Sequence, residues 1–366
     1  MTGPVLYSQA KATGLAQPYR HSNWFLLQDT SIIDHGSDPA PQLAAVEHAS
    51  QPVFICPGLT DIHCHGGRGV SFDEPDRAAG ALKVHRQSGT LYMLASLVSA
   101  ELPTMLSRAS ALAQLCQKYS QPSQLTSALI GIHAEGPFLA ASHKGAHRAD
   151  YLKRANLADA QALLEASQGW LKQVTLAPEL DKDLLVTKFF VAHGVKVALG
   201  HTNASYRQAK EAFAAGASIL THTFNAMNPL QHRAPGPVAA ALEEKEVSLE
   251  VISDGVHLHP AIVRMLFSLA AERIVLITDA MAATGCPDGN YLLGDLAVEV
   301  SDSVARLAQN GAIAGSTVTL GTAVQRAISY GVDPESAIAA ASRLANRAIG
   351  YTPQQEHYLA LPASPR

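Results

Sequence analysis

Residues 59–65 read LTDIHCH, and this stretch decides the fold. It is a short β-rich run that carries two histidines, His63 and His65, and glycines follow it directly. Side chains at positions i and i+2 of a strand point to the same face, so both imidazoles face one way. Ile62 and Cys64 then face the other way. Two imidazoles on one face form half of a metal site, and a hydrogen-bonded structural pair is the alternative.

Seven further runs of this kind follow along the chain and alternate with helical patterns. Continuously apolar strands predict burial on both faces, as in a parallel sheet. Eight repeats of strand and helix predict a (β/α)8 TIM-type barrel, with a doubly wound open sheet as the competing fold. The predicted strands are 59–65, 90–98, 127–133, 174–178, 195–201, 217–223, 247–253 and 273–279. The predicted helices are 75–88, 103–119, 158–168, 181–193, 205–215, 260–271, 319–330 and 335–348.

Polar side chains recur where these strands end. The active sites of such barrels lie at the carboxyl ends of the strands. In addition to the first-strand histidines, ligand-type or acid–base side chains stand at or just after five later strands: Glu135, His201, His222, His257 and Asp279. Their recurrence at one level of the barrel predicts a metal-dependent site at its mouth.

Composition excludes several classes of partner. The chain has 366 residues, is 47% hydrophobic and has a formal net charge of −4 without a basic run, so we expect a small-molecule partner and no nucleic acid. No signal-peptide pattern and no apolar run of ~18 residues is present, so we expect no membrane partner. The four cysteines are scattered without a CxxC pair, which favours free thiols and a cytoplasmic location.

A set of motifs from about residue 53 to 350 resembles the amidohydrolase superfamily and, within it, the N-acetylglucosamine-6-phosphate deacetylase family. The resemblance implies a barrel enzyme that hydrolyses the acetamide of N-acetyl-D-glucosamine 6-phosphate to D-glucosamine 6-phosphate and acetate. HAEGPF, THTFNAM and the run 278–294 are its most specific parts. The motifs are PGLTDIHCHG, HAEGPF (133–138), KGAH (144–147), GHTNA (200–204), THTFNAM (221–227), SDGVHLHP (253–260), TDAM (278–281) and AGST (314–317).

The resemblance also implies a ligand set for a divalent metal. Glu135, His201 and His222 match the family's ligands, and two imidazoles with one carboxylate suit zinc or iron(II). Some family members keep the first-strand histidines and hold a second metal. This chain keeps His63 and His65, so one or two metals per subunit remain open, with Glu135 as the bridge.

The implied mechanism uses water activated by the metal, with Asp279 as general base and then general acid toward the leaving amine. The metal or His147 polarises the acetyl carbonyl. A helix N-cap is the alternative role for Asp279.

Substrate contacts follow from the same resemblance. The phosphate is bound by backbone amides of Asn225 and Ala226, by His257, and by Arg233 donated across a homodimer interface. A solvated loop charge is the alternative for Arg233. The small-residue loop 312–317 closes over the sugar. The predicted substrate-binding set is Ala146, His147, Asn225, Ala226, Arg233, His257, Ile313, Ala314 and Gly315.

The termini depart from the family pattern. We expect the barrel domain over 53–350, with a small β segment at 1–52 that forms a partial β-sandwich, completed by 351–366 if at all. The small β domain is thus predicted to be reduced.

Two rival functions remain at this stage. One is hydrolysis of another N-acetyl hexosamine phosphate or of a cyclic amide. The other is a non-catalytic scaffold that binds a sugar phosphate, against which the intact Asp279 and metal ligands argue.

Overall fold

The computed structural model describes residues 3–43, 46–49 and 51–363. Its main feature is one sheet of eight parallel strands, which pair in the order of the sequence and form a nearly closed barrel. The predicted barrel is confirmed, since a doubly wound sheet would reverse its strand order. The strands are Leu59–Asp61, Thr90–Leu97, Ala128–Glu135, Leu171–Leu176, Lys196–Leu199, Ile219–Leu220, Ser248–Ile252 and Ile274–Ile277.

Residues just beyond the first and last strands close the barrel. Cys64 and Ala280 form a parallel bridge. The Asp279 backbone N–H donates to the His63 carbonyl at 2.9 Å, and the His65 N–H donates to the Ala280 carbonyl at 2.8 Å. The closure therefore places the HxH motif beside Asp279 through backbone hydrogen bonds.

Helices cover the outside of the barrel. Their bounds are Ala79–Gln87, Leu102–Lys118, Leu157–Ala166, Leu185–Ala192, Tyr206–Ala214, Gly236–Glu243, Pro260–Ala270, Leu320–Ser329, Pro334–Ala340 and Arg343–Ile349. The chain leaves helical geometry at Ser342, so the predicted helix 335–348 is two helices. The helix Gly236–Glu243 was missed, because Gly236 and Pro237 at its start are typical of a turn. No helix in the described part of the chain is long and apolar enough to cross a membrane.

Two small sheets lie beside the barrel. Strands Val5–Tyr7, Trp24–Gln28, Ser31–Gly36 and Glu47–Ala49 form one sheet, and Ala10–Ala12, Val53–Pro57 and Tyr358–Pro362 form the other. Buried side chains from both sheets, including Phe25, Leu27 and Ile55, share one apolar cluster. Residues 1–52 thus contain more strand than their sequence pattern indicated. The domain boundaries at 52 and 350 stay predictions.

A three-stranded antiparallel sheet follows the eighth barrel strand. Its strands are Gly289–Leu293, Leu296–Ser301 and Val304–Leu307. Its inner side chains pack on Val98, Met281 and Ala314 in a separate apolar cluster near the barrel mouth. The sequence pattern of this segment predicts no strands.

The C-terminal strand allows a test of the fold. Leu361 is 4% exposed and belongs to the main core, whereas Leu125 is 69% exposed. We expect Leu361→Ala to lower the free energy of unfolding by about 2–5 kcal/mol, because it leaves a cavity. Leu125→Ala is the matched control and is expected to change it by less than ~0.5 kcal/mol. Urea unfolding measures both, and equal effects would show that the strand is not part of the core.

Candidate active site

A cavity of about 340 Å³ opens at the carboxyl ends of the barrel strands. This volume suits a small ligand. The structure brings most of the predicted site residues to this one cavity. They are His65, Glu135, Ala146, His147, His201, His222, Asn225, Ala226, His257, Asp279, Ile313 and Gly315. His63 is fully buried, and its Nε2 lies 3.2 Å from Nε2 of His65.

The carboxylate of Glu135 is the centre of this arrangement. It ends the third barrel strand and is buried. Burial alone would raise its pKa, but the facing imidazoles, His63 above all, lower that pKa well below its usual value. Nε2 atoms of five imidazoles lie within 3.4 Å of its oxygens: His63 at 3.4 Å, His65 at 3.2 Å, His147 at 3.4 Å, His201 at 3.2 Å and His222 at 3.3 Å.

One group of these side chains fits the first predicted metal. The Nε2 atoms of His201 and His222 lie 3.0 Å apart beside Glu135. Nδ1 of His201 lies 2.8 Å from the His143 carbonyl, which can only accept, so the ring donates there and keeps its Nε2 lone pair for a metal. Nδ1 of His222 has no hydrogen-bond partner among the described residues.

A second group beside Glu135 fits another metal. His63, His65 and Glu135 each place a ligand atom within 4.8 Å of the others. Nδ1 of His63 lies 3.0 Å from Oε2 of Glu250. Because a carboxylate accepts, the Nδ1–H donates there, and Nε2 is the nitrogen left to offer a lone pair to a metal that replaces its proton. Imidazoles and a carboxylate are ligands that divalent zinc and iron accept. The residues therefore fit one or two divalent metals.

His147 differs from the other four imidazoles in its hydrogen bonding. Its Nδ1 accepts the backbone N–H of Ser99 at 3.3 Å, so in the neutral ring the proton stands on Nε2. Burial lowers the pKa of His147 to about 4, which keeps the ring neutral at physiological pH. His147 also lies close enough to Glu135 and His201 to share a metal with them. Its tautomer favours the role of a hydrogen-bond donor instead.

Asp279 faces the first-strand histidines. Its Oδ1 lies 3.2 Å from Nε2 of His65 and 3.5 Å from Nε2 of His63. Burial alone would raise its pKa, but the charges of these rings lower it below the usual value. The side chain is therefore ionised at neutral pH. Within the described residues no helix starts at Asp279, which removes the N-cap alternative.

Several site residues have left-handed backbone conformations. The φ angles of His201, His222, Ala226 and Asp279 are 47°, 26°, 48° and 49°. Such angles are uncommon outside glycine and cost on the order of 1–3 kcal/mol each. These strained residues cluster at the ends of three barrel strands. The surrounding barrel therefore holds them in place although their backbone conformation is locally unfavourable.

The residues predicted to bind the phosphate belong to the same cavity. His257 and the Asn225–Ala226 turn line it. Nδ1 of His257 lies 2.7 Å from Oδ2 of Asp254. Burial alone would lower the pKa of His257, but the hydrogen bond and charge of Asp254 outweigh burial and raise it.

Besides the fully buried His63, two predicted residues do not line this cavity. Arg233 is exposed and contacts His232 on its own loop. Ala314 is fully buried in the apolar cluster under the three-stranded sheet, between two residues that do line the cavity.

Sequence reasoning missed several residues that contact the site. Glu250, Ser99 and the carbonyl of His143 each bond a predicted site histidine, and Leu293 lines the cavity. Glu250 had a visible signal, since it is the acidic residue within the apolar run VSLEVIS. Glu179 lies near the site in a turn after the fourth barrel strand. Its carboxylate accepts hydrogen bonds from Thr202 and Asn203 and does not lie among the site histidines.

Known proteins resemble this chain over most of its length. N-acetylgalactosamine-6-phosphate deacetylase of Escherichia coli O157:H7 is 39% identical over 301 residues, which are 81% of this chain and 78% of that protein. N-acetylglucosamine-6-phosphate deacetylase of Vibrio furnissii is 36% identical over 270 residues, 74% of this chain and 67% of that protein. No family model matches the chain.

A solved structure covers the whole described fold. It is a mutant of N-acetyl-D-glucosamine-6-phosphate deacetylase from Mycobacterium smegmatis in complex with N-acetyl-D-glucosamine-6-phosphate. Its TM-score is 0.84 at 35% identity, and the match covers 100% of this chain and 93% of that one.

Metal binding can be tested through stability. Because a metal that binds only the folded state stabilises it, zinc at 100-fold above its dissociation constant is expected to add about 2.7 kcal/mol to a chelator-stripped protein. Glu135→Gln is expected to lose most of this gain, measured as the zinc-dependent shift in thermal midpoint. Glu179→Gln is the matched control and keeps the shift. A full shift in the Glu135 variant would contradict the assigned ligand.

Proposed function

The chain belongs to the N-acetylglucosamine-6-phosphate deacetylase family of amidohydrolases, and from this membership we propose that it hydrolyses N-acetyl-D-glucosamine 6-phosphate to D-glucosamine 6-phosphate and acetate. The observation that carries the proposal is the ionised Asp279 beside the Glu135-centred imidazoles in one cavity. A scaffold that only bound sugar phosphate would have no use for this acid–base group next to metal ligands.

We propose that the metal is zinc or iron(II), which Glu135, His201 and His222 would hold, and that His63 and His65 would hold a second ion with Glu135 as the ligand common to both. The donor set and the tautomers of His63 and His201 support this arrangement. When bound, the metal supplies Lewis-acid chemistry that acidifies water toward a pKa of ~7.

The residues of the chain perform the proton transfers. Asp279 takes a proton from the attacking water and delivers it to the leaving nitrogen, which leaves as the amine of the sugar. The ionised state of its carboxylate at neutral pH matches the first of these steps. The Nε2–H of His147 donates to the acetyl oxygen as negative charge develops there.

The phosphate is bound in the same cavity in this proposal. Backbone amides of Asn225 and Ala226 and the ring of His257 are its donors on the same chain. Arg233 is exposed and does not line the cavity of its own subunit. This supports the proposal that its guanidinium binds the phosphate in the cavity of the partner subunit of a homodimer. The loop 312–317 covers the sugar through Ile313 and Gly315, and the predicted Ala314 between them anchors the loop in the apolar cluster. We place the enzyme in amino sugar metabolism of the cytoplasm, in keeping with its unpaired cysteines.

A second substrate has support of its own. The Escherichia coli relative at 39% identity is an N-acetylgalactosamine-6-phosphate deacetylase. The two sugars differ in the configuration of one hydroxyl, which leaves the acetamide and the phosphate in place. N-acetyl-D-galactosamine 6-phosphate is therefore the alternative to be assayed in parallel.

Acetate release tests the reaction and the role of Asp279 together. Wild-type protein, stripped of metal and reloaded with zinc or iron(II), is expected to release acetate from both sugar phosphates. The one that is hydrolysed faster is then assigned as the physiological substrate. Asp279→Asn is expected to lower kcat by at least ~10², because it removes the general base.

The matched control for this substitution is Asp302→Asn. Asp302 is an exposed aspartate with a similar φ of 51°, and its variant is expected to keep full activity. No acetate from either substrate with any metal, in folded protein, would refute the proposed reaction.

The pair His257–Asp254 predicts a pH dependence of substrate affinity. The raised pKa keeps His257 charged above its ordinary 6.5, while the phosphate is a dianion above its second pKa of ~6. KM is therefore expected to be lowest between these limits and to rise as pH passes the raised pKa. In Asp254→Asn the rise in KM is expected to begin at a lower pH, because the charge that stabilises the imidazolium is gone. At a pH between the two onsets, the KM of the variant is expected to be roughly tenfold higher than that of wild type.

Asn keeps an oxygen for the two backbone N–H groups that Asp254 accepts, so the turn is retained. The measurement is KM against pH for both proteins. Superimposable profiles would show that His257 does not bind the phosphate as a cation.

A further inference from the structure

Glu250 is a buried carboxylate in the middle of the seventh barrel strand. Its side chain is fully buried inside a barrel whose interior is ordinarily filled by apolar residues. Burying a charge without partners is costly, so each of its contacts matters. Oε2 accepts from the ring of His63 at 3.0 Å and from the backbone N–H of His222 at 3.2 Å, and Oε1 accepts from the amide of Gln173 at 2.7 Å.

Two of these three donors, His63 and His222, belong to the two different groups of proposed metal ligands around Glu135. The contact with His63 acts on the ring itself. The contact with His222 acts on the backbone of a residue whose φ of 26° lies in the left-handed region. The Glu250 carbonyl also accepts the N–H of Thr223 at 2.8 Å. Glu250 thus holds both the first-strand ligand and the turn that carries the sixth-strand ligand.

The ring of His63 is confined on a second side. His133 packs edge-on against it, with ring centroids 4.4 Å apart and an interplanar angle of 79°. His133 is itself held between Ser96 at 2.9 Å and Thr175 at 2.8 Å. Because His133 fixes the plane of the His63 ring, the hydrogen bond from Nδ1 to Glu250 fixes the direction in which Nε2 of the same ring points.

We propose that Glu250 is a positioning residue for the metal site, which holds His63 as its Nδ1–H tautomer so that Nε2 presents a lone pair toward Glu135 and Asp279. The inference rests on the proposed second metal at His63 and His65. Outer carboxylates of this kind orient ligating histidines and raise their basicity, and their loss weakens metal binding by ~10–100-fold.

Glu250→Gln is a suitable test because the neighbouring side chain can adapt to it. The new amide nitrogen would face Gln173, whose Oε1 has no partner among the described residues. Rotation of the Gln173 amide then restores a hydrogen bond, and the new amide oxygen still accepts from His63. The variant removes the negative charge while leaving the volume and the hydrogen bonds in place.

The matched control is Asp181→Asn, which neutralises another buried carboxylate, one whose hydrogen-bond partners are not histidines. Asp181 accepts from the backbone of Val186 and Thr187 at the start of a helix. Its substitution reports what the loss of a buried charge does to the protein in general.

The measurement is zinc stoichiometry and affinity, by equilibrium dialysis against buffered zinc followed by elemental analysis. Wild type and Asp181→Asn are expected to bind two equivalents. Glu250→Gln is expected to bind the first equivalent unchanged and to need ~10–100-fold more zinc for the second. ¹⁵N spectra of the histidine rings should show His63 protonated at Nδ1 in zinc-loaded wild type and in Glu250→Gln, whose amide oxygen still accepts from Nδ1, and a loss of that single tautomer in Glu250→Leu, which offers no acceptor.

Two outcomes would overturn the inference. One is unchanged affinity for the second zinc in Glu250→Gln, and the other is a single equivalent in wild type. Acetate release by the same wild-type preparation separates these outcomes from the proposed function, because an active protein with one zinc would remove the role of Glu250 and keep the deacetylase.

Discussion

Closure of the barrel between its first and last strands is the constraint on which the site depends. The first and eighth strands are not paired along their length. They are joined by a few hydrogen bonds beyond the strand ends, such as the one from the Asp279 N–H to the His63 carbonyl. Asp61 adds its carboxylate, which accepts from the Thr278 hydroxyl at 2.6 Å. The proposed base and the first-strand histidines are adjacent because the same residues that close the barrel carry them.

A second consequence is that the charges of the site balance one another. Glu135 and Asp279 are both buried carboxylates, and each would be costly alone. The imidazoles that surround them lower the pKa of both. The two carboxylates and the imidazoles around them therefore need cations, either protons or metals. The hydrogen bonds that direct Nε2 of His63 and His201 toward Glu135 make the group suited to metals.

Much of this arrangement was predictable from the sequence, and the reason is periodicity. An i, i+2 pattern gives the common face of His63 and His65, and a residue at a strand end falls at the barrel mouth. Glu250 was not found, because it lies within a strand rather than at its end. The sheet 289–307 and the helix Gly236–Glu243 were not found, because turn residues interrupt their patterns. The position of Arg233 relative to a partner depends on contacts between chains, which no single-chain pattern contains.

The interior beneath the site explains why the strained ends of the strands hold their shape. A barrel of this kind is ordinarily filled by branched apolar side chains. Here the layer under the mouth is polar: Thr175 bonds both His133 and Thr221, and Gln173 bonds Glu250. Such a network contributes less to stability than apolar packing of equal volume, but when its bonds are made it specifies one orientation for each ring. The left-handed backbone at His222 is therefore supported from below by its bond to Glu250, and apolar side chains would fill the same space without fixing any imidazole.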